Sequence, residues 1–143
     1  MSLDRIAAAR HWVFDLDGTL TVAAHDFDAI GAELGLPAGR SILEALAEMP
    51  PDEAAPLVVR LDAIELAIAR ESRPAEGAGL LLSALRAAGV DLGIATRNSR
   101  ANALETLRAA GLDAFFDPAA ILGRDEAPPK PRPDVIHRLL VAW

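Results

Sequence analysis

His11-Trp12-Val13-Phe14-Asp15-Leu16-Asp17-Gly18-Thr19-Leu20 is the stretch on which the fold of this chain turns. Trp12 to Phe14 is a short run of residues that favour extended backbone, and Gly18 then punctuates it. The economical reading is a buried strand ending in two carboxylates and a glycine turn. In extended geometry positions i and i+2 point to the same side, so Asp15 and Asp17 face one crevice. Open parallel sheets bind ligands in the crevice beyond the carboxyl ends of their strands. Gly18 permits a sharp turn and lets backbone amides come close to a ligand. Two carboxylates so placed suit a nucleophile with a general acid/base, or a hard cation such as Mg2+.

Working outward, Val90 to Thr96 repeats the scheme, a short apolar strand ending in a polar residue, and Ala119 to Leu122 is a weaker third strand. Helices lie between them. Glu76 to Ala88 places Leu80, Leu81, Leu82 and Leu85 on a broad apolar face, with Gly89 as its C-cap. Asn98 is the expected N-cap of the next helix; Ala101, Leu104, Leu107 and Ala110 follow at helical spacing, and Gly111 closes it. Strands alternating with helices indicate βαβ units and a parallel sheet.

Residues 21 to 73 break that alternation. Asp26 to Leu34 reads as one helix, and Ser41 with Glu44 has capping-box spacing for a second. Asp52 to Glu71 gives a third, with Leu57, Leu61, Ile64 and Ile68 on one face and Pro56 in its first turn. The expected architecture is an α/β, three-layer Rossmann-like core over residues 1–20 and 75–143. A small helical insertion occupies 21–74, with hinges at 21–24 and 72–77.

Composition narrows the function. The 143 residues carry no cysteine, which excludes disulfides, thiolate metal sites and thiol nucleophiles. A net charge of −7 disfavours a binder of nucleic acid, which needs a basic face. No apolar run approaches the ~20 residues of a membrane helix. The first ten residues lack the apolar block of a secretory signal, so a cytoplasmic protein is expected. Of 14 basic residues only one, Lys130, is lysine. His11, His25 and His137 show no metal spacing. Trp12 and Phe14 read as core, Asp125-Glu126 as a solvated turn, and Asp52, Glu53, Asp62 and Arg70 as solvated helix faces.

Phe14-Asp15-Leu16-Asp17-Gly18-Thr19-Leu20 resembles the first motif of the haloacid dehalogenase superfamily, D-x-D-G-T-[LV]. Gly93 to Asn98 resembles the second motif, a strand ending in Ser or Thr. Ala127-Pro128-Pro129-Lys130-Pro131-Arg132-Pro133 resembles the third, K-P-x-P. The resemblance implies that Asp15 is a nucleophile attacking phosphorus to give an aspartyl-phosphate, and that Asp17 is the acid/base. Thr96 and the Arg97 amide would bind the phosphoryl group, and Lys130 would neutralise charge beside Asp15. It also implies a Mg2+ site formed by the Asp15 side chain and the Asp17 carbonyl.

The implied activity is hydrolysis of a small phosphorylated metabolite by a phosphatase with a C1-type cap, as in phosphoglycolate-type phosphatases. The alternatives are a phosphomutase of the same family, like β-phosphoglucomutase, or a truncated domain without catalysis. Asp17 argues against the dehalogenase branch and against ion-pumping ATPases. His25 and Arg73 lie near the hinges, where a cap residue could meet substrate, but no spacing rule singles them out and a plain surface role is the simpler reading of His25. The family's fourth motif, an acidic pair after a further strand, has no counterpart between Asp134 and Trp143. The expectation is therefore a core lacking its C-terminal strands, with the strand of Asp15 at an exposed edge. The sequence leaves the oligomeric state open.

Overall fold

Three parallel strands organise the chain: β1 (His11–Phe14), β2 (Asp91–Ala95) and β3 (Ile121–Leu122), in the order β1-β2-β3. The computed structural model describes residues 3–143. His11 stands opposite Asp91 and Phe14 opposite Ile94, while Ile94 stands opposite Ile121. β1 pairs only with β2, so among the described residues its outer edge presents unpaired backbone groups.

Alternation along the strands builds the layers. Trp12, Phe14, Leu92, Ile94 and Ile121 face α5 (Ala78–Ala87) and α6 (Arg100–Ala110), meeting Leu82, Ala103 and Leu107 in the main core. Val13, Ala95 and Leu122 face the opposite way, against Val135 and Ile136 of α7 (Asp134–Ala142). Gly93 has a packing reason to be glycine. A Cβ there would stand 2.9 Å from the Trp143 ring and 3.2 Å from Leu139 Cδ2. The same indole stacks on His11 at 5.1 Å and 10°.

The insertion contains α2 (Phe27–Glu33), α3 (Ile42–Ala47) and α4 (Pro51–Arg70), with its own apolar cluster around Ile30, Leu34, Leu46 and Leu61. Its two connecting segments run side by side. Thr21 bridges Pro74 in antiparallel fashion, the Val22 N–H donates to the Arg73 carbonyl at 3.0 Å, and the Ala75 N–H donates to the Leu20 carbonyl at 2.9 Å. A short α1 (Leu3–Ala7), which no sequence signal announced, precedes β1. Among the described residues, no helix is long and apolar enough to cross a membrane.

Several local expectations shift in the structure: the third strand is only Ile121–Leu122, preceded by a 3-10 turn over Pro118–Ala120. Leu80 is 81% exposed and Leu81 is exposed too, because a helix cannot turn three consecutive leucines inward; α5 buries Leu82. Pro56 lies in the second turn of α4, and Pro51 holds the first position. Ser41 does not cap α3 with its side chain. The N-cap of α6 is Ser99, whose Oγ accepts from the Asn102 N–H at 3.2 Å, and not Asn98. Ser99→Ala is expected to lower stability by about 1 kcal/mol, read as a shifted urea midpoint. An unchanged midpoint would mean that water replaces the cap.

Candidate active site

The carboxyl ends of β1 and β2 meet the insertion across a cavity of about 420 Å³. Its core-side wall contains Asp15, Asp17, Thr96, Arg97, Asn98 and Lys130. Helices α2 to α4 and the segments before them contribute His25, Phe27, Ile42, Leu43, Leu61 and Glu65. Arg73 is not among the lining residues. A more open groove, of about 540 Å³, lies between α4 and the start of α6 and contains neither Asp15 nor Lys130.

Asp15 follows β1 directly, and its Oδ1 accepts from Lys130 Nζ at 2.8 Å. The Thr19 hydroxyl lies 3.4 Å from the other oxygen, Oδ2. Leu16, fully buried between the two aspartates, anchors the turn in the core, and its carbonyl accepts from the Leu20 N–H at 3.0 Å. Gly18 has φ +79°, a conformation that side chains disfavour. Asp17 is half-buried, and its Oδ2 accepts from Asn98 Nδ2 at 3.3 Å.

Thr96 is buried at the end of β2, and its Oγ1 accepts from the Asn98 N–H at 3.0 Å. Its own hydroxyl proton therefore remains available to a ligand. Arg97 is exposed, and its guanidinium donates to Ser41 Oγ at 2.9 Å, which explains why Ser41 does not complete the capping box. Arg40, also on the wall, is paired with Glu48. This pairing holds the Glu48 carboxyl below its ordinary value, through the hydrogen bond from Arg40.

Sequence reasoning missed the second charged cluster. Arg124, in the loop after β3, donates to Glu65 Oε2 at 3.0 Å and to Asp62 Oδ1 at 2.5 Å. The Arg124 and Glu65 side chains are only 10% and 8% exposed, so this pair ties α4 to the core out of water. Asp62, whose side chain is about half exposed, is thus an ion-pair partner as well as a solvent-facing charge. Glu126 likewise accepts from the Gly123 N–H at 2.8 Å and is not part of a free turn. His25 stacks on Phe27 at 5.3 Å on the cavity wall. Nothing in sequence spacing could have joined Glu65 to Arg124, since they meet only through the packing of α4 on the core.

Burial pushes the Glu65 carboxyl above its ordinary value, against the opposing pull of Arg124 and, more weakly, of His25. A glutamate raised on folding favours the native state fully below its unfolded pKa of about 4.3. That contribution is lost as pH rises through the folded value. Wild type is therefore expected to lose ground to Glu65→Gln as pH climbs from 4 towards neutrality, measured by urea denaturation. A difference growing in favour of wild type would mean that Arg124 outweighs burial.

Among the described residues, no three His, Cys, Asp or Glu side chains gather to form a metal cage. The Asp15 carboxylate and the Asp17 backbone carbonyl are the hard oxygen donors the turn after β1 offers. Magnesium is commonly held by one or two carboxylates with water and phosphate completing the shell. The donor set fits that arrangement.

Fold and site together define an α/β protein whose ligand crevice lies at the carboxyl edge of a parallel sheet, beneath inserted helices. The sequence profile of the haloacid dehalogenase-like hydrolases matches residues 10–140, and the chain belongs to that family. It is 32% identical over 149 residues to a probable phosphatase, IndB, of Dickeya dadantii (strain 3937), covering 86% of this chain. The match spans 63% of that protein's length. A haloacid dehalogenase-like family hydrolase from Streptococcus pneumoniae superposes with a TM-score of 0.63 at 24% identity, over 95% of this chain and 70% of that one. A HAD family hydrolase from Deinococcus radiodurans R1, crystallised with bound phosphate and sodium, gives 0.59 at 26% identity, over 94% and 67%.

Proposed function

We propose that the chain carries the reacting groups of a phosphatase acting on a small phosphomonoester through an aspartyl-phosphate. The observation that carries this reading is the 2.8 Å contact between Lys130 Nζ and Asp15 Oδ1, made across 115 residues of sequence. An ammonium beside a nucleophilic carboxylate offsets its repulsion from an incoming phosphate dianion. The relative described as a probable phosphatase and the Deinococcus hydrolase with bound phosphate support the reading.

In this mechanism an Asp15 carboxylate oxygen attacks phosphorus while the ester P–O bond breaks. The Thr96 hydroxyl and the Arg97 amide donate to phosphoryl oxygens, the amide standing just before the positive end of α6. Asp17 gives its proton to the departing alkoxide and, as a carboxylate, takes one from the water that cleaves the acyl-phosphate. A magnesium ion held by the Asp15 carboxylate and the Asp17 carbonyl would supply further neutralisation of phosphoryl charge. Helices α2 to α4 act as a cap that limits water and selects the substrate. The cavity volume suits a small metabolite.

The test is phosphate release from p-nitrophenyl phosphate by this chain with Mg2+, together with mass detection of a phosphorylated Asp15 peptide after an acid quench. Chelation of the metal is expected to lower the rate by about 100-fold or more. Release without any adduct on Asp15, or no release at all, would overturn the proposal.

A further inference from the structure

We infer that Asn98 is a positioning residue for the leaving-group step, fixing which oxygen of Asp17 carries the proton that the departing alcohol receives. The inference rests on the phosphatase reading and adds a residue that the D-x-D, Thr and Lys motifs leave unassigned.

Asn98 lies between β2 and α6 and is only 6% exposed. The sequence expectation made it the cap of α6, but Ser99 fills that role, leaving the Asn98 side chain free for another. Its polar atoms are all engaged. The N–H donates to Thr96 Oγ1 at 3.0 Å, and the carbonyl accepts from the Arg124 N–H at 3.0 Å. Oδ1 accepts from the Ser99 N–H at 2.8 Å. That last bond decides the orientation of the amide. An oxygen must face Ser99, so the NH2 group must face Asp17, where Nδ2 stands 3.3 Å from Oδ2. Asn98 thus presents a fixed donor to one oxygen of the carboxyl.

The consequence is chemical. With Oδ2 engaged as an acceptor, the transferable proton of the neutral acid resides on Oδ1. As an Asp15 oxygen bonds to phosphorus and the ester P–O bond breaks, the bonding pair goes to the ester oxygen. The Oδ1 proton then passes to that oxygen, giving the alcohol, the Asp17 carboxylate and the aspartyl-phosphate. Without Asn98 the Asp17 carboxyl can rotate, and delivery of the proton loses its alignment.

Leaving groups separate this role from a structural one. p-Nitrophenolate departs as a stable anion and needs little protonation, whereas the alkoxide of glycerol 2-phosphate needs it fully. Asn98→Ala is expected to slow glycerol 2-phosphate hydrolysis at least about 10-fold more than p-nitrophenyl phosphate hydrolysis, since a positioned general acid contributes about 100-fold or more. Both rates come from one sample, so any unfolded fraction cancels in their ratio. Asn98→Asp keeps an acceptor for the Ser99 N–H but removes the donor, and should show the same selective loss. Ser99→Ala disturbs the neighbouring cap alone, and should leave the ratio unchanged.

Equal losses on both esters for Asn98→Ala would overturn the inference. A crystal structure of Asn98→Ala provides a readout independent of turnover. A rotated Asp17 carboxyl supports the role, and an unmoved one overturns it. If wild type hydrolyses neither ester, the phosphatase reading falls, while the Asp17 geometry in the variant still decides whether Asn98 positions it.

Discussion

Asp15→Asn is expected to reduce turnover of every phosphomonoester by about 1,000-fold or more, because no other carboxylate can take over the covalent step. The substitution keeps the shape of the side chain and removes its nucleophilic charge. Folding should barely register the change. The Asp15 and Lys130 side chains are 46% and 31% exposed, and partly exposed pairs of this kind contribute at most about 1 kcal/mol. The result to look for is therefore a near-wild-type thermal melt together with loss of both phosphate release and phosphoryl adduct. Retained turnover would assign the nucleophile elsewhere.

Gly123→Ala is expected to act on stability instead, by about 3 kcal/mol. A Cβ on Gly123 would stand 2.6 Å from the Arg100 nitrogen and the Asn98 oxygen, and 3.0 Å from the Ser99 carbonyl carbon. All three are backbone atoms at the start of α6, so no side chain can swing away to make room. The loop after β3 must lift, straining the Arg124 N–H bond to the Asn98 carbonyl and drawing Arg124 away from Glu65. A buried glutamate separated from its cation is costly in itself. Urea denaturation reads the loss directly, and an unchanged midpoint would mean that the loop relaxes freely.

The parts of this architecture legible in the sequence are those that depend on neighbours along the chain. Strand β1 and the turn at Gly18 follow from ten consecutive residues, and Gly111 ends α6 in the left-handed conformation a C-cap glycine favours. The site residues are another matter: Asp15 and Asp17 could be proposed because they close the first strand on one side of a turn, whereas Thr96 and Lys130 could be proposed only because their motifs resemble those of the haloacid dehalogenase superfamily. What could not be read are choices between equally eligible polar groups. Asn98 and Ser99 both suit an N-cap, and only the nearby Asp17 draws Asn98 away from it. Ser41 and Glu44 have the spacing of a capping box, yet Arg97, 56 residues on, takes the serine hydroxyl. Asp62 reads as a purely solvent-facing charge, and Glu65 draws no notice, until α4 is laid on the core and both meet Arg124. The apolar face of α5 was overdrawn for a similar reason, since composition alone cannot say which of three adjacent leucines points inward.

The antiparallel pairing of Thr21 with Pro74 has a consequence for how such a molecule can be altered. The chain leaves the sheet layer and returns to it at nearly the same point, so the strand order does not depend on the path taken between. Residues 22–73 could in principle be replaced by a tight turn, or exchanged for another helical module, without re-threading a single strand. The ties that would be lost are the packing of α4 on α6 and the contacts of Arg124 with Asp62 and Glu65. In the proposed reading, chemistry at the carboxyl edge and selectivity above it would be carried by separate lengths of polypeptide, joined where Thr21 meets Pro74.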